Sequence, residues 1–159
     1  MDSYTTMQSW ICIIGKFTQK NFGCAIYVVY ALNEHAQHLD VWNQLRNLRA
    51  NYQLPFILLG DFNEVMHPSE RRGAASQTPS MRELAGLVQD LQLIDLDINQ
   101  AYTWIRSNRA SKIDHILWIQ RSFKGTEFFE HVREGMGIAH GVFAGCQTKS
   151  NQDTIGKVE

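Results

Sequence analysis

The sequence contains no apolar run near the ~18 residues that a membrane-crossing helix needs, which excludes a helical span. Its first residues, Met1-Asp2-Ser3-Tyr4-Thr5-Thr6, lack the basic start and apolar stretch of a secretory signal. An intracellular location, nucleus or cytoplasm, is the expectation. Cysteine is scarce. Cys12, Cys24 and Cys146 are an odd set at no metal-binding spacing, so they argue against a disulfide framework and for buried, reduced thiols. There is no surplus of either charge. A formal net charge of -1 gives no global basic field, and any nucleic-acid contact must come from a local patch. Internal repeats and low-complexity linkers are absent too. The 159 residues make one domain's worth of chain at most. A hydrophobic fraction of 44% is enough for a packed core.

The rest is organised around Leu54-Pro55-Phe56-Ile57-Leu58-Leu59-Gly60-Asp61-Phe62-Asn63. The apolar run Phe56 to Leu59 reads as a strand buried on both faces. Pro55 stands at its start, where a missing N–H does least harm. Gly60 ends the run and allows close approach of another group. If the chain stays extended, Asp61 and Asn63 share one face and Phe62 returns to the core. A carboxylate and an amide then converge at the end of a buried strand, where they can hold a metal, position a water or bind a phosphate oxygen. The same pair also suits an Asx turn that caps the strand.

Upstream, Trp10 to Ile14, closed by Gly15, and Cys24 to Tyr30 read as the strands of a hairpin. Asn33 to His38 reads as a polar connection. From Leu39, the recurrence of Leu39, Trp42, Leu45 and Leu48, with Val41 and Tyr52 alongside, predicts a helix with that stripe inward. Arg46, Asn47 and Arg49 take its wet side. His35 and His38 have no companion at ligand spacing and are not read as a metal pair. After Asn63, Pro68, Gly73 and Pro79 punctuate an irregular segment. Ser80 with Glu83 predicts a capping box, followed by a helix with Met81, Leu84, Leu87, Val88 and Leu91 inward. Leu93 to Ile98 reads as a short strand or extended connection. Tyr102 to Ile105 and Ile113 to Ile119 predict a second hairpin around a basic turn carrying Arg106, Arg109 and Lys112. That turn is solvated, or else contacts a nucleic-acid backbone. Asp114 interrupts an apolar strand, which demands a partner or a place at the sheet's rim. His115 faces the other way and reads as structural. Residues 146–159 are read as a disordered tail.

Val29-Tyr30-Ala31, Gly60-Asp61-Phe62-Asn63, Tyr102-Thr103-Trp104 and Ile113-Asp114-His115, in this order, resemble the endonuclease/exonuclease/phosphatase superfamily. The spacing through Glu70-Arg71-Arg72-Gly73 looks most like the endonuclease domain of plant non-LTR (LINE-type) retrotransposons. The resemblance implies an α/β (α+β) fold, part of a four-layered α/β sandwich, with residues 10–145 as a partial domain. It implies Mg²⁺- or Mn²⁺-dependent hydrolysis of a phosphodiester, with DNA as the partner. Carried over by position, Asp61 orients or activates the attacking water and is the nearest metal candidate. Asn63 and Tyr30 bind the phosphate. Asp114 orients a catalytic histidine, for which His140 is the match.

The sequence also departs from the family. No glutamate occurs before Glu34, so the metal-binding Glu and Asn strands of the family are not found. Ile138-Ala139-His140 stands where the family has Ser-Asp-His. The reading is therefore of a truncated, degenerate and inactive retroelement-type endonuclease. Its rivals are an active nuclease or phosphatase completed by a partner chain or an upstream segment, and a non-catalytic binding remnant. Without the missing strands, Phe56, Ile57 and Leu58 are expected to lose cover on one side.

Overall fold

The computed structural model describes residues 3–17, 22–51, 54–96 and 102–119. In chain order the elements are β1 (Ser3–Thr6), β2 (Trp10–Phe17), β3 (Phe22–Tyr30), α1 (His35–Asn51), β4 (Phe56–Asp61), a 3-10 turn (Pro68–Glu70), α2 (Pro79–Asp90), β5 (Leu93–Asp95), β6 (Trp104–Arg106), β7 (Arg109–Ser111) and β8 (Asp114–Ile119). Six strands form one mixed sheet in the order β1-β2-β3-β4-β8-β5, and β6 pairs only with β7. β3 and β4 run parallel, joined through α1; the other pairs are antiparallel. This is the α/β fold that the sequence led us to expect. Its boundaries at residues 145 and 146 lie outside the described residues, as does residue 140. No helix among the described residues is long and apolar enough to cross a membrane.

Strand alternation divides the sheet. Trp10 and Cys12, Ala25, Tyr27 and Val29, Phe56 and Leu58, and Leu117 and Ile119 point to one face. There they join Val41, Trp42 and Leu45 of α1, Leu84 and Leu87 of α2, and Leu91 just after it in one core. On that face aromatic rings link neighbouring strands edge to face, Trp10 of β2 on Tyr27 of β3 at 5.7 Å and Tyr27 on Phe56 of β4 at 5.9 Å. Cys12 and Cys24 are buried free thiols. Burial pushes both upward in pKa, which disfavours the thiolate.

Several expectations are corrected. Gly15 lies within β2 rather than closing it, and β1 adds a strand upstream of Trp10. α1 begins at His35, so His38 is helical and buried, with its Nε2 2.6 Å from the Leu32 carbonyl. Leu39 is 43% exposed. A strict three-residue repeat drifts by about 60° per step around a 3.6-residue helix, and His38, Val41, Trp42 and Leu45 form the true inward stripe. Thr78, not Ser80, caps α2. Its hydroxyl accepts from Met81 N at 3.2 Å, and Pro79 takes the first helical position, where its missing N–H is harmless. The second hairpin is not between 102–105 and 113–119. β6 and β7 close on each other, and β8 instead inserts between β4 and β5.

The expected loss of cover over β4 is also corrected. Phe56, Ile57 and Leu58 are all buried. On the face away from the helices it is Ile11 (43% exposed) and Ile13 (46%) of β2 that remain open.

Gly60 fixes the meeting of β3 and β4. Its φ is +131°, and a Cβ there would lie 2.1 Å from the Val29 carbonyl oxygen. Gly73 also has positive φ, at +82°, but nothing within 4 Å of a would-be Cβ. Gly60→Ala should therefore lower the unfolding free energy by about 3 kcal/mol or more, combining strain with a backbone clash. Gly73→Ala, with strain alone, should lose only about 1–2 kcal/mol. Urea denaturation of the two variants compares them. Equal losses would mean that β3 and β4 can part at Gly60 without penalty.

Candidate active site

Three strand ends meet in one row. Tyr30 pairs with Asp61 across the parallel β3–β4 ladder, and Asp61 with Asp114 across the antiparallel β4–β8 ladder. In-register partners project from the same face, so all three side chains stand on the face away from the helices. The amide of Phe62 donates to the Ile113 carbonyl at 2.9 Å, while that of Asp114 donates to the Thr103 hydroxyl. Asp61 and Asp114 are therefore a non-hydrogen-bonded pair, the arrangement in which facing side chains come closest. Tyr30 is 57% exposed at the end of the row.

Two like charges placed opposite each other repel. Among the described residues no lysine or arginine forms an ion pair with either carboxylate. Burial is the main cause that pushes the Asp61 pKa up to about 6, and the charge of Asp114 adds to the rise. The hydrogen bond from Asn63 N and the nearby His115 pull the other way.

The turn after Asp61 differs from a continued strand. Asn63 has φ +50°, its N–H donates to Asp61 Oδ1 at 2.8 Å, and its side-chain amide donates to the Ala31 carbonyl. The Asx-turn alternative is thus what forms, and it coexists with a rim carboxylate instead of excluding it. Asn63 is held beside Asp61 by this turn, not by strand alternation. Phe62 does return to the core, stacked on Trp42 at 5.7 Å, which anchors the turn to α1.

Beneath the row lies a second polar cluster. His115, adjacent to Asp114, points to the helix side and is buried. Its Nδ1 is 3.2 Å from Asp95 Oδ2 and its Nε2 3.2 Å from the Glu64 carbonyl oxygen. Glu64 Oε1 accepts from Arg71 Nη2 at 2.8 Å, and Arg71 Nε donates to Ser111 Oγ at 3.2 Å. Glu70 Oε2 accepts from the Met66 and His67 amides at 2.8 and 3.1 Å. Glu70, Asp95 and His115 bring ligand atoms within 4.8 Å of one another, a spacing that could hold a metal ion. Lys112 Nζ already stands there, 2.7 Å from Asp95 Oδ2 and 3.7 Å from Glu70 Oε1. Burial would raise the Asp95 pKa, but His115 and then Lys112 outweigh it and hold it below its ordinary value. The underside is a charge-balanced brace for the loop from Asp61 to Arg71. The rim carboxylates are hard oxygen donors that, among the described residues, no lysine or arginine pairs with, the donor chemistry a divalent metal takes.

Of the residues read from sequence, Tyr30, Asp61, Asn63 and Asp114 come together at one rim. His140 lies outside the described residues. Arg106 and Arg109 are exposed and face each other across the β6–β7 hairpin. Lys112 is turned inward with Asp95 and Glu70, which removes it from that basic turn. Sequence reasoning gave no role to Glu64, Asp95 or the Thr103 hydroxyl. A charge inside the short apolar run of β5 was the one signal for Asp95.

A model of the Endonuclease/Exonuclease/phosphatase family matches residues 3–118. A search of curated proteins finds no match. Among solved structures, the fold is similar to the endonuclease domain of TRAS1, a telomere-specific non-LTR retrotransposon. That match has a TM-score of 0.58 and 14% identity, and covers 75% of this chain and 56% of that one. It is also similar to the 3' phosphatase NExo from Neisseria bound to product DNA hairpin, with a TM-score of 0.54, 16% identity, and 73% and 54% coverage. The chain thus spans just over half of each of these two relatives.

The Asp61 pKa has a consequence for stability. Between about 3.8, its ordinary value, and about 6, the folded chain holds a proton at Asp61 that the unfolded chain has released. Stability contributed here falls as pH rises through that window, and the penalty is complete above it. Asp61→Asn keeps an oxygen acceptor for Asn63 N and removes the charge. It should be more stable than the wild type at about pH 7.5 and lose that advantage by about pH 4. Urea midpoints against pH measure this; an advantage constant across the range would take the effect away from Asp61.

Proposed function

We infer function from one premise: this chain belongs to the Endonuclease/Exonuclease/phosphatase family, whose model matches most of it. On that premise we propose a divalent-metal-dependent phosphodiester hydrolase of the retroelement-endonuclease type, acting on DNA, with low turnover in the 159-residue chain by itself. The observation that carries the proposal is the in-register row Tyr30–Asp61–Asp114 with Asn63 turned in beside it. DNA is preferred because one relative by fold is a retrotransposon endonuclease domain and another is bound to a DNA product. The spacing from Gly60-Asp61-Phe62-Asn63 through Glu70-Arg71-Arg72-Gly73 to Tyr102-Thr103-Trp104 and Asp114 supports the plant LINE-type assignment.

Each residue has a role that its placement suits. Asp61, poised near neutrality by burial and by Asp114, orients the attacking water and accepts its proton. Asn63 has its side-chain oxygen and one N–H left after bonding Ala31, and Tyr30 has an exposed phenol; both suit phosphate oxygens. Asp61 and Asp114 are the residues that would hold Mg²⁺ or Mn²⁺. When bound, such an ion supplies charge neutralisation at the phosphoryl oxygens. Arg106 and Arg109 offer backbone contacts on the β6–β7 hairpin.

Low turnover follows from the donor count. Two carboxylates leave most of a near-octahedral shell to water and substrate. Ile138-Ala139 before His140 also withholds the acidic neighbour expected in the family. With Mg²⁺ or Mn²⁺, the chain should nick supercoiled plasmid at rates far below the ~1 s⁻¹ of an ordinary enzyme. Asp61→Ala should reduce even that by roughly 100-fold. A plasmid time course decides. Nicking untouched by the substitution would remove this site from the reaction, and fast metal-dependent nicking abolished by it would overturn the low turnover alone.

A further inference from the structure

Thr103 has no role in the site as read so far, although its hydroxyl touches the backbone of a rim carboxylate. Its Oγ1 accepts from Ile113 N and from Asp114 N, both at 3.0 Å. A threonine hydroxyl has two lone pairs, so both are engaged. We propose that Thr103 is a positioning residue: its hydroxyl holds the two amides at the start of β8 and fixes Asp114 opposite Asp61. The inference rests on the reading of the rim as a metal and phosphate site.

The ladder geometry shows which way the Asp114 N–H points. Because Asp61 and Asp114 form a non-hydrogen-bonded pair, the Asp114 N–H points away from β4, toward the side that β5 flanks. β5 pairs with β8 only as far as Asp95 opposite Leu117, followed by one more bond from Leu96 N to the Ile116 carbonyl at 2.8 Å. Beyond it, among the described residues, no strand stands beside Asp114. On that side the Thr103 hydroxyl is the acceptor of the Asp114 N–H.

Thr103 is itself well held. Its N–H donates to the Ser111 carbonyl at 3.0 Å, and the Tyr102 ring before it lies under the Arg72 guanidinium at 5.6 Å. One residue before Ile113, Lys112 N donates to the Glu70 carbonyl at 2.8 Å. Three successive amides, 112 to 114, thus take acceptors from outside the sheet. Their combined effect is to set where β8 starts, and with it the height of Asp114 against Asp61.

A purely structural cap would lower stability when lost and leave ion binding alone, so the test reads both. Mn²⁺ binding to the whole chain is followed by the electron paramagnetic resonance of free Mn²⁺, with thermal melts alongside. The variants are Asp61→Ala, Thr103→Val, Thr103→Ser and, as a nearby structural control, Ser111→Ala. Thr103→Val should weaken Mn²⁺ binding by about 10–100-fold, the usual effect of losing a group that orients a ligand. Thr103→Ser should bind like the wild type, and Ser111→Ala should melt earlier with its Mn²⁺ affinity intact. A folded Thr103→Val with wild-type affinity, or a folded Thr103→Ser that loses affinity, overturns the inference. If the valine variant does not fold, Thr103→Ala takes its place: loss of affinity supports the inference and wild-type affinity overturns it. Wild-type chain that binds Mn²⁺ no better than Asp61→Ala overturns the reading of the rim and this inference together. Binding that Asp61→Ala removes and Thr103→Val leaves overturns this inference alone.

Discussion

At Val29 and Gly60, β3 and β4 run so close that a single methyl group would collide with a carbonyl oxygen. That contact brings Tyr30 into register with Asp61 at the strand ends. It also sets the course of the chain immediately after β4, since the amide of Ala31 donates to the Asp61 carbonyl at 2.8 Å. With β3 and β4 locked, Asn63 can reach the Ala31 carbonyl and complete the turn. The residue with no side chain is thus what permits the candidate side chains to share one rim.

The two faces of β8 divide the labour around that rim. Asp114 faces out, toward Asp61, in a pair whose mutual repulsion suits a cation or a proton. His115, one residue on, faces in and ties Asp95 to the Glu64 carbonyl. The edge contact between the Phe62 and His115 rings, at 5.6 Å, joins the apolar anchor of the loop to its polar brace. Among the described residues the outer-face carboxylates have no lysine or arginine in an ion pair, while the inner face carries acids paired with Lys112 and Arg71. This difference in neutralisation, rather than any difference in residue type, distinguishes the candidate active site from the structural network.

Much of this was legible locally. The apolar run Phe56 to Leu59, the Gly60-Asp61-Phe62-Asn63 turn and the helix from Met81 to Leu91 depend on neighbours in sequence, and their periods gave them away. The Leu39 stripe misled because repeats of three and of 3.6 separate only after several residues. Ser80 imitated an N-cap because Pro79 moves the helix start forward and Thr78 already supplies an oxygen. The partner of β8 was not legible at all. β8 pairs with β4, more than fifty residues away, and passes over β6 and β7, its nearer neighbours. Nor could the fate of Lys112 be read, since a lysine in a basic turn and a lysine between Asp95 and Glu70 look alike until β5 is placed.

The alternation of Asp114 and His115 bears on how the chain finds its register. β8 is last of the described strands in sequence and lies between β4 and β5, and its apolar residues alone would tolerate a slide. A shift by one position would exchange the faces of every side chain on the strand. It would drive the Asp114 carboxylate among Leu58, Phe62 and the helices, and leave His115 without Asp95 or the Glu64 carbonyl. Each misplacement strands a polar group away from water or from its partners. The adjacent acid and imidazole therefore specify one register for β8, quite apart from any chemistry at the rim.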